Sequence, residues 1–316
     1  MIPLACPAAT VSFLGPPGTF TEEALRSGVD VADAVLQPMA TWPEVLAAVG
    51  RGQVDYAFAA LENSIEGTVP ITLDHLVFEQ DLRIVGEMVL PVTQNLLTVP
   101  GATREGVRQV LSFPHAIAQC RAWLAANLHD ATEEAASSTS EAARLVAERG
   151  DPTVAAIGTR LAASLYGLSV NGERIEDHDD NVTRFVLVAP LSASIPAPTG
   201  HDKTSIVCFQ STNRPGSLQD ILGHFSARNI DLVKLDSRST KKGLGDYCFV
   251  IDFRGHVADE VVADCLKELH ATTRRVKYLG SYPAAGADGA GIRRAAGEAW
   301  KAADAWIAEI RTHLAE

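Results

Sequence analysis

Cysteine is scarce here, and the few present are scattered. Cys6, Cys120, Cys208, Cys248 and Cys265 form no close pair, and their number is odd. That argues against a disulfide framework and against a zinc-cysteine centre. A reducing compartment, the cytoplasm, is the expected setting. Basic residues are short as well: 27 Lys and Arg stand against 39 Asp and Glu, a net charge of −12. An acidic surface opposes nonspecific capture by nucleic acid or anionic membrane, but leaves an anionic small molecule free to enter one pocket. No uncharged apolar run of about 18 residues occurs, so no membrane span is expected. The opening MIPLACPAAT lacks a positive n-region and a sustained apolar stretch, so no signal peptide is expected. Also missing are G-x-S-x-G, H-E-x-x-H, a P-loop and a three-glycine dinucleotide fingerprint.

What is present is enough apolar material for a folded chain. Hydrophobic residues make up 47% and charged residues 21% of 316. That length allows two ordinary domains. Residues 191–202 lie in a stretch rich in Pro, Ser and Ala and are expected to be a linker. Residues 283–316 combine a second Gly/Ala-rich stretch with a terminal helix, in which Trp300, Ala303, Ile307 and Ile310 recur at helical spacing.

Residues 1–190 alternate strand and helix patterns with apolar strands, which predicts an α/β region with buried sheets. Strands are expected at 11–14, 54–60, 82–90, 94–99, 153–157 and 185–189. Helices are expected at 20–26, 42–49, 114–128, 138–148 and 160–165. We expect two lobes, lobe I from about 10–89 and 172–190, and lobe II from about 90–171. A cleft between such lobes suits a small ligand. Residues 203–282 carry a different rhythm, βαββαβ, which is the ferredoxin-like pattern.

Several segments carry polar chemistry. FLGPPGTFTEEAL ends a strand at a glycine turn and starts a helix that Thr19 or Thr21 caps; free N–H groups there suit an anion. ALENSIEGTVP sets Glu62, Asn63 and Ser64 directly after an apolar strand, where α/β proteins form pockets. Asn63 offers donor and acceptor and Ser64 a hydroxyl, so together they can hold a carboxylate or a hydroxyl. Thr68 is a candidate cap for the next helix. Ser112 is a candidate cap for a proline-started helix, a second anion seat from the other lobe. Ser138 and Thr139 sit in a hydroxyl cluster, as caps or ligand contacts. In IEDHDDNVTRFVLV, Asp177, His178 and Asp179 are too adjacent for tetrahedral ligation, so no metal is expected. Thr183 and Arg184 point oppositely if extended.

Together these motifs resemble the prephenate dehydratase family, in its monofunctional form. Gly15–Phe20 matches Gly-Pro-x-Gly-Thr-Phe. Glu62–Gly67 matches Glu-Asn-Ser-x-x-Gly. Thr183–Phe185 matches Thr-Arg-Phe, with the family's asparagine two places earlier at Asn181. Residues 203–281 resemble the ACT regulatory domain. Gly216, Ser217 and Leu218 stand for Gly-Ala-Leu, and Asp236, Ser237, Arg238 and Ser239 for Glu-Ser-Arg-Pro. Two further departures are Phe113 and His115 within a family Ser-His-Pro-Gln-Ala, and Gln94 where a histidine is common.

The resemblance implies a two-lobed catalytic region of the type 2 periplasmic-binding-protein form, followed by ACT. It implies decarboxylating dehydration of prephenate to phenylpyruvate, with neither metal nor organic cofactor. Thr183, Asn63 and Ser64 would be catalytic. Thr19, Glu62, Ser112, Ser138, Thr139, Arg184 and Phe185 would contact substrate, Phe185 as a wall for the ring. Backbone N–H groups near Gly18 and Pro114 would seat carboxylates. Gly216, Ser217, Leu218, Asp236, Ser237 and Arg238 would bind phenylalanine as effector, in a homo-oligomer, dimer or tetramer. Arogenate dehydratase and a non-catalytic amino-acid-sensing protein are the alternative readings.

Overall fold

The computed structural model describes residues 1–4, 8–210, 214–241, 246–285 and 305–312. Two units are distinguishable by their internal packing: residues 1–80 with 88–190, and residues 81–87 with 191–316.

The first unit is built on two sheets. Its elements are β1 (Thr10–Leu14), α1 (Phe20–Gly28), β2 (Val35–Met39), α2 (Trp42–Gly50), β3 (Tyr56–Asn63), β4 (Gly67–Thr68), α3 (Pro70–Asp74), β5 (Leu82–Pro91), β6 (Asn95–Thr98), β7 (Gln109–Ser112), α4 (Pro114–Ala118), α5 (Arg121–Asn127), β8 (Thr132–Ala135), α6 (Thr139–Arg149), β9 (Val154–Gly158), α7 (Arg160–Tyr166), β10 (Ser169–Gly172) and β11 (Val182–Pro190). Lobe I carries the order β2-β1-β3-β11-β5, with β4 against β3; lobe II carries β10-β6-β9-β7-β8. The chain passes from lobe I to lobe II between β5 and β6 and returns between β10 and β11. β5 itself divides: its residues through Glu87 group with the second unit, and Met88 onward with the first.

Apolar runs made the central strands legible. β1, β3 and β9 are buried almost end to end, as central strands covered on both faces should be. Phe58 of β3 and Phe185 of β11 stack with centroids 5.2 Å apart and planes 8° apart inside lobe I. Full burial of each contributes about 2 kcal/mol. The expected strand 54–60 runs on to Asn63, because β11 and β4 pair with its last residues. The expected single helix 114–128 is two helices. The Gln119 carbonyl, which a continuous helix would offer to the Trp123 N–H, accepts from the Asp177 N–H at 2.7 Å instead. The Asp177 carboxylate then takes the N–H groups of Ala122 and Trp123 at 2.9 and 3.2 Å, so a distant side chain caps α5.

In the second unit, β12 (Asp202–Phe209), α8 (Ser217–Ser226), β13 (Leu232–Ser239), β14 (Tyr247–Arg254), α9 (Glu260–Thr272) and β15 (Arg275–Pro283) follow the expected βαββαβ order. The sheet is antiparallel in the order β13-β14-β12-β15. Helices α8 and α9 cover one face through Ile221, Phe225, Val262, Cys265 and Leu269, packed on Ile206, Phe249, Ile251 and Phe253. Lys203 reaches both oxygens of the buried Glu87 carboxylate at 2.8 and 2.9 Å, and the Ala285 N–H reaches the first of them at 2.8 Å. Residues 305–311 are helical, with Trp306, Ile307 and Ile310 exposed. Trp300 and Ala303 of the expected stripe, and most of the expected 241–245 turn, lie outside the described residues. Among the described residues, no helix is long and apolar enough to cross a membrane, and no cluster of acidic, His and Cys side chains could hold a metal.

Candidate active site

The polar residues after the apolar stretch of β3 and those opening β11 meet because the two strands are antiparallel neighbours. Thr183 lies opposite Asn63, and Arg184 opposite Glu62. Their side chains therefore converge although about 120 residues separate them in the chain.

Asn63 is the hub. Its Oδ1 accepts the backbone N–H groups of Ile65 and Glu66 at 3.0 and 3.1 Å, an Asx turn that identifies the amide oxygen. Its Nδ2 donates to Asn181 Oδ1 at 2.7 Å and to Thr183 Oγ1 at 3.0 Å, with Val182 O at 3.3 Å. Thr183 is half-buried, and its oxygen is already an acceptor from Asn63. The hydroxyl proton is therefore free to point at a ligand.

Ser64 works on the backbone opposite. Its hydroxyl donates to Asp180 O at 3.3 Å and accepts from the Val182 N–H at 3.0 Å, and its own N–H reaches Val182 O at 2.9 Å. Its geometry is that of a brace for residues 180–182. Glu62 and Arg184 pair with each other at 3.4 Å, with Arg184 only 8% exposed. That placement braces the β3–β11 ladder. Phe185, expected as a ring wall, is stacked on Phe58 in the lobe I core and is 2% exposed. The ladder register shifts at Arg184/Phe185, so that Phe185 lies opposite Ala60 and shares a face with Phe58.

The remaining expected contacts divide differently. Thr19, not Thr21, caps α1, and its hydroxyl also donates to Leu14 O at 3.0 Å. The Gly18 N–H, expected to seat a carboxylate, is taken by Glu22 Oε2 at 2.7 Å, since the helix's own third residue reaches back to it. Ser112 does not cap α4. It is fully buried and donates to Ile157 O at 2.8 Å, and Phe113 holds the N-cap position without a side-chain bond. Pro114 has no N–H to offer. Ser138 caps α6 through the Glu141 N–H at 3.0 Å, and Thr139 is buried in the first turn. Thr68 lies in β4, and the next helix starts without a side-chain cap.

The glycine-rich turn joins the two lobes. The Pro17 carbonyl accepts from Ser140 Oγ and, at 3.2 Å, from the Tyr166 hydroxyl. Gly18 O accepts from Thr159 Oγ1 at 2.8 Å. Gly18 has φ +89°, and a Cβ there would lie 2.8 Å from Ser140 Oγ and 3.2 Å from Ala162 Cα. Only glycine fits that approach. On the other side of Asn63, Glu66 pairs with His115 of lobe II. His115 meets Gln119 Nε2 at 2.9 Å, and Gln119 Oε1 accepts from Gln94 Nε2 at 3.1 Å. This polar chain was not legible in sequence. Its one signal was that His115 and Gln94 both depart from the family's usual residues.

In the second unit, Gly216, Ser217 and Leu218 at the start of α8 line a groove with Ser237, Tyr247 and Phe249, with a cavity volume of about 550 Å³. Asp236 and Arg238 alternate with Ser237 along β13 and lie on the opposite face. Of that triplet, Ser237 faces the groove.

Comparison with known proteins agrees with both units. A family model described as prephenate dehydratase matches residues 11–192, and one described as ACT domain matches residues 204–271. A prephenate dehydratase of Amycolatopsis methanolica is 40% identical over 302 residues, covering 95% of this chain and 97% of that protein. The crystal structure of prephenate dehydratase from Arthrobacter aurescens in complex with L-Phe matches with TM-score 0.85 and 38% identity over 96% of this chain and 99% of that one. Another solved structure, GqqA, described as a novel type of quorum-quenching acylase, matches with TM-score 0.79 and 30% identity over 87% and 98%. With the family model spanning more than half of the chain and falling on the unit that holds the Asn63–Thr183 pair, the chain belongs to the prephenate dehydratase family.

Proposed function

We propose that this chain converts prephenate to phenylpyruvate, carbon dioxide and water, and that phenylalanine acts on it through the second unit. The observation that carries the reading is the 3.0 Å hydrogen bond from Asn63 Nδ2 to Thr183 Oγ1. It fills an acceptor site of the threonine and leaves its proton for an outside acceptor.

The reaction needs little more. The electron pair of the bond from ring carbon to carboxylate moves through the diene as carbon dioxide leaves, and the C4–oxygen bond breaks. The substrate dianion gives phenylpyruvate monoanion, carbon dioxide and hydroxide, which a proton converts to water. Aromatisation makes the step downhill, so the protein has to orient the dianion and stabilise the departing oxygen. Threonine is too weak an acid to match that leaving group by pKa. Its contribution is a positioned donor at the oxygen where charge develops, strengthened because Asn63 polarises the same hydroxyl. Solvent supplies the net proton.

The groove lined by Gly216, Ser217, Leu218 and Ser237 supports an amino-acid effector site. Val233 and Leu235 of edge strand β13 are 40% and 45% exposed, and Tyr247 of β14 is 41% exposed, which suits association with a second copy. An effector changes activity only through different affinity for two states.

The test is turnover of prephenate, followed by phenylpyruvate absorbance, with and without phenylalanine. Arogenate and an acylase substrate serve as parallel arms. Turnover of prephenate with a response to phenylalanine is expected. Faster turnover of either alternative substrate would overturn the assignment.

A further inference from the structure

Asn181 is 3% exposed and sits at the base of the turn that returns the chain to β11. We infer that Asn181 is a positioning residue for the dehydration, acting through Asn63 rather than on the substrate. The inference rests on the reaction proposed above.

The geometry counts donors against acceptors. Asn63 Nδ2 has two hydrogens and three acceptors near it: Asn181 Oδ1 at 2.7 Å, Thr183 Oγ1 at 3.0 Å and Val182 O at 3.3 Å. Val182 O already accepts from the Ser64 N–H at 2.9 Å. Asn181 makes the shortest of the three contacts, and by taking one hydrogen it directs the other to Thr183. Without that acceptor, Val182 O competes for both hydrogens. The amide then turns off the threonine oxygen, and the threonine proton loses its defined direction.

Asn181 is itself held from both sides. Its carbonyl accepts from the Val92 N–H at 2.8 Å, on the segment that leaves lobe I. The neighbouring Asp180 carbonyl and Val182 N–H both bond Ser64 Oγ. The acceptor at 181 is thus fixed by backbone before any substrate arrives, which is what a positioning group needs.

The test uses Asn181→Leu, similar in size without an acceptor, Asn181→Ala, which cannot clash, and Asn181→Asp, which keeps the acceptor. Each is measured in the full chain and again with Asn63→Ala. In Asn181→Leu, kcat on prephenate should fall roughly tenfold to hundredfold, with KM moving less than about threefold. Asn181→Asp should recover part of that kcat. In the Asn63→Ala background the Leu exchange should change kcat by less than about twofold, because the residue it acts through is gone. An equal loss in both backgrounds, or a loss confined to KM, would overturn the inference. So would an Asp variant as slow as the Leu one. If Asn181→Leu does not fold, Asn181→Ala enters the same cycle. A wild-type chain inactive on prephenate would instead remove the reaction reading.

Discussion

Thr183→Val is the sharpest test of how the site works. Valine keeps the shape and branching of threonine and removes only the hydroxyl. The exchange has two consequences. The departing oxygen loses its donor, and loss of one such preorganised donor typically slows turnover about 10²- to 10³-fold, or about 3–4 kcal/mol of barrier. Asn63 loses an acceptor, but Val182 O lies 3.3 Å from the same nitrogen and can take the hydrogen. The folding cost should therefore stay near about 1 kcal/mol, the net worth of one hydrogen bond. Turnover and stability should thus separate by about 2 kcal/mol or more. The assay pairs kcat and KM on prephenate with urea unfolding of the same preparations. Thr183→Ser keeps the donor and frees its rotation, so its kcat should fall between wild type and Thr183→Val. A valine variant within about threefold of wild-type kcat, or one whose loss lies wholly in KM, would refute the donor role.

Three further outcomes are expected. Burial holds the Glu23 carboxyl above the usual carboxylate range, with Arg160 opposing; the native state then binds that proton more readily than the unfolded chain, so this group adds stability as pH falls through the window between its ordinary and its raised value. Glu23→Gln should be more stable than wild type at pH 7 and flatten that slope, and urea unfolding at pH 5 and 7 showing an unchanged slope would contradict it. Lys203→Met removes the ammonium held against both oxygens of the buried Glu87 carboxylate, so thermal or urea unfolding should show a loss of about 3–5 kcal/mol, largely restored by adding Glu87→Gln; full stability in the single variant would contradict the pairing. Burial pushes the Cys208 and Cys265 thiols up to about 12, and Cys120 is raised as well; in a Cys6→Ser background a thiol reagent at pH 8 should react only after denaturant is added, and rapid native labelling would show the thiols are accessible.

Composition, periodicity and motif order by themselves determined the two-lobed α/β region, the βαββαβ unit and the family. Each of these is written locally: apolar runs make buried strands, and glycine or proline marks their ends. Contacts between distant segments decided the rest. The exposed strand β2, which contains Pro38, and polar β8 carry weak local signals and exist because a neighbouring strand pairs with them. The 114–128 helix breaks because Asp177 claims its backbone groups. Thr19, Ser112 and Ser138 stand in the sequence as cap candidates as well as implied ligand contacts; Thr19 and Ser138 cap their helices while the Ser112 hydroxyl reaches the Ile157 carbonyl, because a hydroxyl in sequence does not reveal which carbonyl or N–H will lie beside it. Phe185 belongs to the core because β11 pairs with β3 and sets it against Phe58, a pairing that no local pattern announces. Asn63, Asn181 and Thr183 form one network only because β3 and β11 run antiparallel side by side, and strand pairing is a property of the folded sheet rather than of either strand alone.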